Sequence, residues 1–143
     1  MDTLPAYAAF NFGPVSSRDN ILYTCLRPGY NKKDKHLTYQ GQLDQMEDWI
    51  QFMKDQQHIT NVIALLDDNE LLLRNDAPQI YLVDLYTNWD IPFLIQPIKG
   101  DCAYQNIMEY IDNVAKNNGR VIVHCAIGAG RAGLVAAGWL VHK

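Results

Sequence analysis

The chain has little that would mark it for a membrane, an oxidising compartment or a nucleic acid. No apolar run approaches the ~20 residues needed to cross a bilayer. The start, Met1-Asp2-Thr3-Leu4-Pro5, lacks the basic-then-apolar plan of a secretory signal, so a cytoplasmic location is expected. Cysteines number only three, Cys25, Cys102 and Cys125, an odd count with no zinc spacing. Free thiols are therefore favoured over a disulfide framework. Neither His36, His58 nor His142 falls at a ligand spacing, so no metal and no cofactor is expected. Basic residues are outnumbered, 12 to 16, for a net charge of −4. That balance argues against a nucleic acid or an anionic membrane as partner. The run Lys32, Lys33 and Lys35 is interrupted by Asp34 and reads as a solvated loop.

What is present suits one globular unit. The 143 residues are 48% apolar and 20% charged, with no internal repeat and no low-complexity linker, so a single domain spanning 1–143 is expected. Asn11 to Asn20 is rich in turn formers around Gly13-Pro14 and Ser16-Ser17. Ile21 to Leu26 reads as a strand stopped by Pro28-Gly29. Leu43, Met46, Trp49, Ile50 and Met53 recur at helical spacing, which predicts an amphipathic helix over Tyr39 to Gln56. Asn61 to Leu66 is short and apolar and runs into the acidic turn Asp67-Asp68-Asn69, as a buried strand does. Pro78 to Tyr86 fits a short helix begun by a proline better than a strand. The prolines of Ile91 to Ile98 point to an extended segment at a sheet edge. Ile107, Tyr110, Ile111 and Val114 mark a helix from about Cys102 to Asn117, N-capped by Asp101 and closed by Asn118-Gly119. Arg120 to His124 is the last strand, and a helix follows from Arg131. Strands alternating with helices define an α/β fold with a central, mainly parallel sheet flanked by helices.

The most informative stretch is Val121-Ile122-Val123-His124-Cys125-Ala126-Ile127-Gly128-Ala129-Gly130-Arg131-Ala132-Gly133. An apolar strand enters a glycine-rich turn with a thiol at its mouth, and a helix opens at an arginine. Converging N–H groups, the helix N-terminus and a guanidinium surround the thiol, which makes a cradle for a tetrahedral oxyanion. Cysteines at helix N-termini ionise more readily than the usual ~8.5 allows. Arg131, a cation in the first turn, opposes the helix dipole unless it holds an anion. The G-x-G-x-x-G spacing also fits a dinucleotide loop, but that requires an acidic residue ~20 positions on. Only ten residues follow Gly133, none acidic. A Walker loop lacks its Gly-Lys-Ser/Thr ending, and a structural buried cysteine leaves Arg131 unexplained.

His124-Cys125-x5-Arg131 resembles the signature of the cysteine-dependent protein tyrosine phosphatases, in the form found in the dual-specificity group. Weaker similarity extends to Arg27-Pro28-Gly29-Tyr30, to Asn61 to Leu66 and to Pro97-Ile98 before a helix. The resemblance implies that Cys125 attacks phosphorus and forms a phosphocysteine, with a phosphorylated protein or peptide as substrate. It implies that Arg131 and the N–H groups of Ala126, Ile127, Gly128, Ala129 and Gly130 hold the oxyanion. His124 points away from substrate and supports the cysteine. The general acid is expected at Asp101, in preference to Asp90, which should lie at the far end of the sheet.

Two departures from the family pattern stand out. Ala132 occupies the place of a Ser or Thr whose hydroxyl helps the cysteine leave, so slow phosphoenzyme hydrolysis is expected. The family also commonly continues with further helices, whereas the chain stops at Lys143. This leaves a minimal domain, or cover supplied by a partner or a second copy. Small and apolar residues at Ala126, Ile127 and Ala129 argue against inositol lipids as substrate. An RNA 5′-triphosphatase is a minor alternative, and a phosphate-binding module without turnover is the main rival. Cys25 and Cys102 are read as packing residues, with a Cys102–Cys125 disulfide as the alternative for Cys102.

Overall fold

The computed structural model describes residues 10–29, 38–99, 102–126 and 130–142. Three parallel pairings dominate its five-stranded sheet. Strands β1 (Gly13–Pro14), β2 (Leu22–Thr24), β3 (Asn61–Ala64), β6 (Phe93–Ile95) and β7 (Val121–His124) lie in the order β1-β2-β7-β3-β6. Only β1 runs antiparallel to its neighbour. A separate hairpin joins β4 (Leu72–Arg74) to β5 (Ile80–Tyr81). The helices are α1 (Tyr39–Gln51), α2 (Leu82–Asn88), α3 (Ala103–Lys116) and α4 (Gly130–His142).

The central strands are continuous apolar runs because helices cover both faces of the sheet. Val62, Ala64 and Ile122 face one core with Trp49 and Ile50 of α1 and Tyr86 of α2. Ile63, Val121 and Val123 face the other, with Ile107 and Ile111 of α3 and Val135 and Trp139 of α4. Burying each such side chain contributes about 1.5–3 kcal/mol, so the alternation fixes the register of β3 against β7. Asp19 ties α4 to the start of β2. Its buried carboxylate accepts from the Ile21 and Leu22 N–H groups at 2.7 and 2.9 Å and from Trp139 Nε1–H at 2.5 Å.

Several local expectations are corrected. Gly13-Pro14 is the short strand β1 rather than the centre of a turn. The helix begun at Tyr39 ends in a π-helical turn over Phe52–Gln56. The segment from Pro78 is extended through Ile80–Tyr81, where it pairs with β4, and becomes helical only at Leu82. Its alternating apolar residues serve the hairpin first. The N-cap of α3 is Cys102, not Asp101, and it makes no side-chain capping bond. Cys102 is also exposed rather than a packing residue, and it is a free thiol. Asn118 takes the positive φ of 59° that ends α3. Gly119 then allows close passage: a Cβ there would lie 2.5 Å from Val114 Cγ1 and 2.6 Å from Thr60 Oγ1. The edge position of β6 agrees with the two prolines that flank it.

Candidate active site

Crevices in α/β sheets form beyond the carboxyl ends of the strands. There β7 ends at His124, followed by Cys125 and Ala126, and α4 begins at Gly130. Cys125 is buried. Ile127, Gly128, Ala129 and Asp101 lie outside the described residues. Asp90 sits at the opposite end of the sheet, in the turn before β6. There it lines a cavity of about 660 Å³ with Asn61, Pro92 and Tyr110.

Arg131 is aimed by Glu70, a residue just beyond the acidic turn Asp67-Asp68-Asn69 that the sequence did not single out. The guanidinium makes a two-pronged ion pair, Nη1 to Oε1 and Nη2 to Oε2, each 2.8 Å. Nη1 also donates to the Leu65 carbonyl at 2.8 Å. Among the described residues these contacts occupy three of the five guanidinium donors. Among the described residues the Nε–H and the second Nη2–H, which share one edge of the guanidinium, take no part in these bonds and form a second fork. The pairing pushes the Glu70 carboxyl down to about 2, chiefly through its bond to Arg131. It raises the Arg131 pKa, first through Glu70 and in smaller part through the nearby Cys125. Arg131 is thus a fixed cation beside the thiol.

Glu70 owes its place to a turn that is locally encoded. The 3₁₀ turn Asp68–Glu70 carries a reciprocal capping box with Asp67, whose N–H donates to Glu70 Oε1 at 3.0 Å. An acidic residue followed three positions later by glutamate is a signal readable in sequence. Its connection to Arg131 is not.

Beneath the loop lies a buried aromatic group. The Tyr86 hydroxyl bonds His124 Nε2, and the imidazole stands edge-on to Trp49 at 5.9 Å. Burial lowers the His124 pKa to about 3 and raises that of Tyr86. The phenol therefore stays protonated and donates a hydrogen bond to a neutral imidazole. Nδ1–H is then directed at the Cys125 carbonyl, 3.5 Å away. His124 points away from the crevice and braces the backbone at the thiol. Arg27 braces the next residue, its Nε donating to the Ala126 carbonyl at 3.1 Å. Cys25 lies near enough for Cys125 to raise its pKa, although burial is the main cause, so Cys25 stays a thiol. The methyl of Ala132 is buried beside Arg131.

Among solved structures the fold is similar to kinase associated phosphatase (KAP) carrying serine in place of its catalytic-site cysteine. The match has 25% identity and a TM-score of 0.61, covering 85% of this chain and 65% of that one. It is also similar to a cysteine-to-serine variant of P. aeruginosa TpbA in complex with phosphotyrosine, at 15% identity and a TM-score of 0.51. That match covers 95% of this chain and 64% of the other. The chain thus spans just under two thirds of the length of both. No curated protein matches it. Residues 41–143 match the family described as "Polymorphic toxin system, DSP-PTPase phosphatase". The chain belongs to this family, within the cysteine-dependent phosphatase superfamily. No helix among the described residues is long and apolar enough to cross a membrane.

Proposed function

We propose that the chain is a protein phosphatase that hydrolyses phosphotyrosine, with phosphoserine and phosphothreonine as further substrates, through a phosphocysteine intermediate. The observation that carries this reading is the Arg131 guanidinium, held by the two-pronged pair with Glu70 in the first turn of the helix that follows β7 and Cys125. Two parallel N–H donors on a fixed cation suit two oxygens of a phosphoryl group above a sulfur nucleophile. Cys125 as thiolate attacks phosphorus, and the bond to the ester oxygen breaks. Asp101 donates the proton that the leaving oxygen requires. Water then attacks phosphorus, giving a proton back to Asp101, the S–P bond breaks, and inorganic phosphate and the thiolate are released. Family membership and the similarity to KAP support the phosphatase chemistry.

The test is hydrolysis of para-nitrophenyl phosphate by the wild type and by Cys125→Ser. Turnover by the wild type alone, with phosphate trapped on Cys125 after rapid quenching, is expected. Ala132 favours a second reading, a phosphate-binding module without turnover, because its buried methyl offers no hydroxyl to help the thiolate leave. A wild type that binds a phosphotyrosine peptide and vanadate but hydrolyses nothing would establish that reading instead.

A further inference from the structure

The acidic turn that aims Arg131 has a second cation on its outer side. Strand β6 ends at Ile95, and the chain continues along the exit of β3, where the Gln96 N–H donates to the Ala64 carbonyl at 2.9 Å. Lys99 then closes a tight turn, its N–H donating to the Pro97 carbonyl at 2.9 Å, and its ammonium pairs with Asp67 Oδ1 at 2.8 Å. Asp67 is the other half of the capping box that presents Glu70. Four charges therefore stand in series, Lys99 to Asp67 to Glu70 to Arg131, positive at both ends. Lys99 is by far the most exposed of the four: the side chains of Lys99, Asp67, Glu70 and Arg131 are 72%, 32%, 26% and 33% exposed.

We propose that Lys99 and Asp67 are positioning residues, which tether the segment leaving β6 to the turn that orients Arg131. The inference rests on the phosphatase reading, because Asp101, the acid assigned there, follows Lys99 by two residues. A proton donor acts only within hydrogen-bond reach of the leaving oxygen, while the arginine holds the phosphoryl oxygens of the same substrate. The Lys99–Asp67 pair joins the segment that leads to Asp101 in sequence to the same capped turn that orients Arg131. Two adjacent carboxylates would repel each other, and a cation on each outer side offsets this. Because Lys99 is largely exposed, salt screens its pair with Asp67 more than the pair of Glu70 with Arg131. The tether is thus the salt-sensitive link.

The test compares Lys99→Met and Lys99→Arg with the wild type by two independent readouts. The first is turnover of phenyl phosphate, which needs a proton donor, against para-nitrophenyl phosphate, which needs one less. Lys99→Met should lose about two- to fivefold in kcat on phenyl phosphate, the scale of one exposed ion pair. It should lose less on the nitrophenyl ester, and Lys99→Arg should restore both. Raising ionic strength should slow the wild type toward the Lys99→Met rate and leave that variant unchanged. The second readout is amide hydrogen exchange over residues 94–99 and 67–71, which should quicken in Lys99→Met and not in Lys99→Arg. Wild-type exchange in Lys99→Met, or a Lys99→Arg variant as impaired as Lys99→Met, overturns the tether. A wild type that hydrolyses neither ester refutes the phosphatase reading, and hydrogen exchange then decides the tether alone.

Discussion

Lowering the pH should unfold this protein through one buried imidazole. His124 ordinarily would titrate near 6.5, but burial holds it at about 3. The unfolded chain takes up that proton below 6.5 and the native state does not until about 3. The unfolded state therefore binds more protons across this window, and stability falls as pH drops. Each full proton difference costs 1.36 kcal/mol per pH unit. Between pH 7.5 and 5.0 the loss is about 2 kcal/mol, and between 6.5 and 3 it is about 4 kcal/mol. Against the 5–15 kcal/mol that holds a typical domain together, this is a large share. The melting temperature should fall by about 5–8 °C between pH 7.5 and 5.0 from this group alone. Thermal unfolding of the wild type and of His124→Asn over that range isolates it, since other titrating groups are common to both. The variant should be less stable at pH 7.5 and lose less on acidification. Proton–nitrogen NMR of the native wild type gives an independent check, with ring signals of a neutral imidazole down to pH 4.5. A native-state midpoint near 6.5, or equal losses in wild type and variant, would refute the reasoning. The functional corollary is that His124 braces the thiol as a dipole, so the positive charge at the site comes from Arg131 and Arg27.

Glu70→Gln should reduce kcat/KM by about tenfold and weaken vanadate inhibition comparably, because the amide meets the guanidinium with a second donor where it needs an acceptor. With its pKa at about 2, Glu70 stabilises the fold above its ordinary value of 4.5, and this contribution is lost as pH falls through about 2. Wild-type activity should thus show no step from this group between pH 5 and 7. Ala132→Ser, which supplies the missing hydroxyl, should accelerate phosphoenzyme hydrolysis and shrink any pre-steady-state burst of nitrophenol. An unchanged burst would mean that another step limits turnover.

The contiguous parts of the site were readable before any tertiary structure was considered. Residues 121–142 form one strand, one loop and one helix in series, so Cys125, Arg131 and the helix N-terminus are neighbours in the chain. The covering of both sheet faces was equally legible, because strands buried on both sides must be apolar without interruption. What tertiary structure decided are the supports, which come from distant segments. Tyr86 is 38 positions from His124, Glu70 61 from Arg131, and Arg27 99 from Ala126. No periodicity links such pairs. They meet because the parallel order β2-β7-β3 places the exits of three strands around one loop. Asp67-x-x-Glu70 did carry a capping signal, but a cap and an arginine clamp call for the same glutamate, and only its partner distinguishes them. Asp101 shows the converse. Its neighbourhood read as a helix start, and the cap falls one residue later, on Cys102. Short-range chemistry thus identified the thiol and the arginine, and the packing of the sheet determined which groups hold them in place.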